Sequence, residues 1–315
     1  MAQKPEYCRV PVETIQRHSG DFPFDVYLRL SDEKLVRVVH GHDDVKATVA
    51  HYVAKGIKEI YAVKEDYAKF VELVNRELTA KFFDVQTSSQ EKMEILQNSY
   101  NVLKESFMKV GLSQASINLA RDLAKNSGEL ISKQAIAKDI FAQFKGKCSS
   151  EYVRSLFVGT VVLNMLDHLD WQTDSVRQHV MESLLLRDIL LSPEHFVNIR
   201  DCRETPKKLL SEVYNHPKAT VEFLTKDGCR AFSADVLIMI EHHHERPDDR
   251  GFPGQVTESN IPIIPAMIIV ADEFIDRVIA LSFESNSRVL ALNELAGIFK
   301  RGNYRKAFSA LNMDS

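Results

Sequence analysis

Apolar and polar positions follow two different periods along this chain. Residues 25–30, Asp-Val-Tyr-Leu-Arg-Leu, alternate as a strand, residues 31–34 supply a turn, and 35–39 read as the hairpin partner. A helix is predicted over 44–54, stopped by Lys55-Gly56, then a third strand over 57–63 and a closing helix over 65–78. Together residues 1–85 predict a small α+β domain.

From Ser88 the pattern turns helical. Met93, Leu96, Tyr100, Leu103, Phe107 and Val110 alternate spacings of three and four, the seam of a heptad pattern. Such a seam either packs into a neighbouring domain or pairs two chains as a homodimer through the 90–110 helix. Gly111 ends this helix, Ser113 offers a cap for the next, to about 127, and another is predicted over 132–144. Residues 86–149 therefore read as a helical connector. The remainder, 150–315, predicts an all-helical domain, with helices over 151–169 (closed by Trp171), 176–190, 205–224 (Pro206 in its first turn), 233–245 and 265–281.

Composition narrows the classes. With 315 residues, 44% apolar and 27% charged, the chain is long enough for about two domains with a sizeable core. A net charge of −4 gives no support for a nucleic-acid surface. Cys8, Cys148, Cys202 and Cys229 are widely spaced, which suits a reducing compartment and argues against a disulfide framework or a cysteine zinc site. No apolar run approaches the ~20 residues that span a bilayer, and the N-terminus lacks an apolar signal core. The expectation is a cytoplasmic protein without nucleic-acid or membrane partners.

Candidate chemistry concentrates in Glu241-His242-His243-His244-Glu245-Arg246-Pro247-Asp248-Asp249-Arg250-Gly251-Phe252-Pro253. Neutral imidazole is a common ligand for zinc, iron, copper and nickel. Consecutive histidines at a helix end point in different directions, so at most two easily serve one site. The other reading is a solvated polar helix end. A second cluster, His40, His42, Asp43 and Asp44, lacks a third ligand placed by spacing and reads better as a polar loop.

His-His-Glu-Arg, then Asp, then Gly-Phe-Pro resembles the His-His-Glu-Arg…Asp-Gly-x-Gly-Tyr-Pro signature of the HD-GYP proteins, HD-type metal-dependent phosphohydrolases of which many cleave cyclic di-GMP. The signature loop is then Glu245, Arg246, Asp248, Gly251, Phe252 and Pro253, with Phe252 replacing the tyrosine and Asp249 the first glycine. The resemblance covers about half the chain and implies a small N-terminal α+β domain followed by an all-α HD-GYP-type domain.

Carried over position by position, the resemblance implies a half-kept centre. Leu184-Leu-Leu-Arg-Asp-Ile-Leu-Leu191 is similar to the family's Ala-Leu-Leu-His-Asp-Ile-Gly-Lys. Asp188 keeps the bridging carboxylate, Arg187 stands for the histidine, and Leu191 replaces a lysine that would face the substrate phosphate. Asn215-His216-Pro217 matches the family's His-Pro motif, His243 and His244 its adjacent pair, and Asp272 its last carboxylate. Upstream, Arg154-Ser155 falls where a histidine is expected, within a slip of one residue.

One metal set, Asp188, His216, His243 and His244, is therefore complete. The other, at Arg154, Arg187 and Asp272, has lost its imidazoles. One transition metal (iron, manganese or zinc) is implied, with the second absent. A guanidinium offers no lone pair and repels a dication. Arg187 either points to solvent or lies buried between Asp188 and Asp272, where its charge substitutes for the missing ion. The implied function is a degenerate signalling module that binds protein partners, with cyclic di-GMP as a candidate ligand but without efficient hydrolysis. The alternative is an active cyclic di-GMP phosphodiesterase with a rearranged site, Asp188 then being the catalytic carboxylate.

Overall fold

The computed structural model describes residues 6–12, 15, 22–31, 34–41, 44–57, 59–132, 150–170, 172–192, 195, 211–248, 250–254, 256 and 260–313. The readings of His42 and Asp43, Trp171, Pro206, Asp249, Cys148, Cys202 and the helix beyond 132 fall outside them. Two compact units divide the chain, Met1–Leu123 and Ala124–Ser315. The division lies inside the segment 86–149 expected as a connector.

Among the described residues the first unit holds four strands, β1 (Tyr7–Pro11), β2 (Val26–Ser31), β3 (Lys34–Val39) and β4 (Glu59–Val63), in the antiparallel order β1-β4-β2-β3. The β2–β3 hairpin forms at the predicted place, burying Val26 and Leu28, while Leu30 is 63% exposed. β1 lies outside the predicted elements, because its partner is β4, far along the chain, with Cys8 opposite Ala62. Helix α1 (Val45–Ala54) is capped by the Asp44 side chain, which accepts from the Ala47 amide. Helix α2 (Lys64–Phe83) runs a turn past its predicted end, and buries Tyr67, Phe70, Val71, Val74, Leu78 and Phe82. Helix α3 (Ser89–Lys109) is capped by Ser88. Its seam, Met93, Leu96, Tyr100, Leu103 and Phe107, is buried, and the helix packs on α2 and β1. The heptad face is thus filled within the chain.

Helix α4 (Gln114–Ile131) crosses the division. The second unit continues with α5 (Glu151–Leu166), α6 (Asp174–Leu186), α7 (Ser211–Leu224), α8 (Ala234–His242), α9 (Ile263–Ala280), α10 (Ser287–Ala296) and α11 (Gly302–Met313). The last two lie beyond the predicted elements. Helix α9 is the core of this unit. Every residue from Pro265 to Ile275 is buried, and it packs against α5, α8, α10 and α11. Helix α8 meets α6 and α7 as well, so the ends of α6, α7 and α8 converge beside α9. No helix among the described residues is long and apolar enough to cross a membrane.

Candidate metal centre

Asp188 follows the end of α6, His216 sits within α7, and His243 and His244 close α8. One ligand atom from each lies within 4.8 Å of the others, the group of donors that the sequence singled out. The His216 and His243 rings donate through Nδ1 to the carbonyls of Val213 and Ile240, each at 2.6 Å. A carbonyl only accepts, so these contacts place the proton on Nδ1 and leave a lone pair on Nε2 of a neutral ring. The two Nε2 atoms then face each other at 3.2 Å, and stand 3.2 and 3.5 Å from Asp188 Oδ1.

Two lone pairs and a carboxylate oxygen converging in a buried space repel unless a cation joins them. Asp188 Oδ1 is buried and receives no hydrogen bond. The residues present therefore fit a metal ion, held by three imidazoles and one carboxylate. Burial opposes ionisation of Asp188, yet the carboxyl lies well below its usual range, with the Arg187 guanidinium beside it favouring the charged form. Burial, opposed by Asp188 and aided by His216 and Arg187, keeps the His243 ring below the ordinary imidazole value. Neutral imidazole is the ligating form. His242 takes no part, and two of the three consecutive histidines reach the cluster.

The other half of the centre is built from guanidinium groups. Arg187 is 2% exposed. Its Nη2 donates to Asp272 Oδ1 at 2.9 Å. Nη1 lies 2.9 Å from Asp272 Oδ2 and Nε 3.3 Å from Asp188 Oδ2, both off the direction of a hydrogen bond. Arg154 joins from α5, with Nη2 2.8 Å from Asp272 Oδ1 and Nη1 on Asp276. Of the two upstream candidates, Arg154 faces the site, while Ser155 Oγ donates to the Leu184 carbonyl. Leu191, where the resemblance leads one to expect a lysine, is buried against Val213.

Around this core the signature loop folds tightly. Glu245 is fully buried and accepts from the backbone amides of Gly254 at 2.7 Å and Val256 at 3.0 Å. Arg246 grips Asp248 through Nε and Nη2, at 3.0 and 2.9 Å, and reaches Glu273 with Nη1. A Cβ on Gly251 would meet the Arg246 nitrogen at 2.3 Å, so only glycine fits there. Phe252 stacks on His244 with centroids 4.5 Å apart, and on Tyr214 at 5.5 Å. Tyr214 donates to the Pro253 carbonyl at 3.2 Å. A cavity of about 20 Å³ beside His243 and His244 is also lined by Arg246, Phe252, Ile269 and Asp272. It has room for about one water or ion, far below the ~300–1,000 Å³ of ordinary small-molecule sites.

Asp276, Glu273 and Tyr214 were outside the set read from the sequence. Asp276 stands one helical turn after Asp272 on α9, a spacing that puts both carboxylates on one face; that was the available signal.

No family model matches the sequence, and no curated protein matches it. Among solved structures, Bd1817, described as an HDG"Y"P protein from Bdellovibrio bacteriovorus, superposes with a TM-score of 0.60 at 16% identity, covering 98% of each chain. This chain has the fold of that protein, and the predicted class, a small α+β domain followed by a helical HD-GYP-type domain, is the one observed.

Proposed function

We propose that this chain is a degenerate HD-GYP-type signalling protein that holds one transition metal and acts by binding rather than by efficient hydrolysis of cyclic di-GMP. The observation that carries the reading is the Arg187 guanidinium, buried between Asp188 and Asp272. In the two-ion arrangement that the family resemblance implies, the late aspartate faces a second dication. Here both oxygens of Asp272 are engaged by arginine.

Charge balance favours a single ion. Arg154 and Arg187 against Asp188, Asp272 and Asp276 leave one net negative charge, the histidines being neutral. One dication converts this to one positive charge. A second would raise it to three in a buried site, with no carboxylate oxygen of Asp272 left to meet it. Asp188, His216, His243 and His244 would hold the ion, whose donor set suits iron, manganese or zinc. When bound, it would act as a Lewis acid toward water.

Phosphodiester cleavage also needs charge neutralised on the phosphate. The resemblance puts a lysine there, and the position holds the core residue Leu191. The small cavity beside the histidines leaves no room for a nucleotide next to the ion, which argues against turnover there.

The test is metal content per chain on anaerobically purified protein, together with nucleotide chromatography after incubation with cyclic di-GMP. About one ion per chain and no metal-dependent product is the expected result. Two ions per chain with clear turnover would establish the rearranged phosphodiesterase instead.

A further inference from the structure

Resting on that reading, we infer that Glu245 is a positioning residue that couples ion binding at His243 and His244 to the conformation of the strap formed by residues 250–254. Glu245 is the next residue after the paired histidines and is fully buried. Its two oxygens accept from the amides of Gly254, in the strap, and Val256, just beyond it.

The strap is tied to the cluster at three further points. The Phe252 amide donates to the His244 carbonyl at 3.1 Å, the Phe252 ring covers the His244 ring, and Tyr214, two residues before His216, holds the Pro253 carbonyl. A Cβ on Gly254 would come within 2.9 Å of Glu245 Oε1, so the carboxylate and the strap backbone fit without slack. Arg250 and Gly254 nevertheless face solvent. An ion that fixes the His243–His244 backbone thus fixes Glu245, and with it the strap's exposed edge. Conversely, loosening the strap releases the ring that covers His244.

Hydrogen exchange on the full chain tests this, comparing zinc-loaded protein with protein stripped by a chelator. Chelation is expected to raise exchange in a peptide spanning 250–256 by about tenfold and to leave a peptide from α3 unchanged. Glu245→Gln keeps the shape but presents an amide NH₂ to one of the two N–H donors. It should weaken zinc affinity, read by competition with a chromophoric chelator, by about 10- to 100-fold, the usual range for outer-shell partners. Its zinc-dependent exchange difference in the strap should vanish, while the α3 peptide exchanges as in the wild type. Should Glu245→Gln fail to fold, Tyr214→Phe carries the test, with affinity and strap exchange moving together by about threefold.

Strap exchange indifferent to chelation, in a chain that binds one zinc, overturns the coupling and leaves the metal centre standing. Wild-type zinc affinity in Glu245→Gln does the same. A chain that takes up neither zinc nor iron nor manganese overturns both.

Discussion

The two halves of the buried centre surround their carboxylates with different partners. On one side, Asp188 Oδ1 faces the lone pairs of His216 and His243, an arrangement completed only by something added from outside. On the other, Asp272 meets Arg154 and Arg187, cations supplied by the chain itself. Asp188 belongs to both, with Oδ1 toward the imidazoles and Oδ2 toward Arg187. On the proposed reading, loss of a metal subsite would leave neither a void nor an unpaired carboxylate. A guanidinium is planar, permanently charged and able to engage both oxygens of one carboxylate. It keeps the architecture while giving up exchangeable chemistry.

The largest effect should come from breaking the arginine half. Asp272→Asn leaves Arg154 and Arg187 short of one buried countercharge, and breaking a buried pair costs about 3 kcal/mol or more. Chemical denaturation of the stripped protein should show that loss, while the variant still takes up about one ion per chain. Loss of the ion with unchanged stability would mean that Asp272 serves the metal and that the division between the halves is false.

Next comes the imidazole half. His216→Ala removes one of four donors, roughly a quarter of the ~10–16 kcal/mol that such sites supply, so affinity should fall by about 100-fold. Stability of the stripped protein should change far less than in Asp272→Asn. Equilibrium dialysis against zinc and denaturation in chelator read the two quantities separately. A variant that keeps full affinity would remove His216 from the donor set.

A smaller effect is expected from rebuilding the lost subsite. Arg187→His alone leaves the Arg154 guanidinium on Asp272, so ion content should stay near one per chain. Adding Arg154→His frees the carboxylate and should bring it toward about two. Cyclic di-GMP turnover should remain absent in both, since Leu191 is untouched. Two ions in the single variant would show that Arg154 plays no part in excluding the second.

Much of this was legible in the sequence, and the reasons are local. Arg187 lies in Leu184-Leu-Leu-Arg-Asp-Ile-Leu-Leu191, where an apolar run on both sides leaves a charge little choice but burial with a partner. β2 and β3 are neighbours in sequence and pair across a short turn, so local pattern was enough to place the hairpin. What stayed hidden depends on distant partners. β1 is a strand only because β4 lies beside it. Arg154 and Ser155 are adjacent, and a one-residue uncertainty along α5 rotates the helix face; only the position of α9 decides which enters the site. Asp276 reads as an ordinary acid on a helix surface until Arg154 is seen against it. Glu245 belongs to a recognisable signature, but its bonds to Gly254 and Val256 come from the path of the loop.

The smallest effect serves as the control for the whole comparison. Arg177 and Asp167 form the same kind of ion pair as Arg187 and Asp272, but the Asp167 side chain is 57% exposed against 5% for Asp272. In water each partner of an exposed pair is already solvated, and its Coulomb gain is offset by ordering two side chains. Asp167→Asn should therefore change stability by under about 1 kcal/mol, and the difference should shrink further at about 1 M salt, where the screening length is a few ångströms. The loss in Asp272→Asn should barely respond to salt, because counterions do not reach a carboxylate enclosed by α5, α6 and α9. Measuring both variants at low and high salt separates burial from charge pairing as the source of the effect. If Asp167→Asn proved as damaging as Asp272→Asn, ion pairing of any kind would account for the stability. The arginine half would then have no special claim to have replaced a metal.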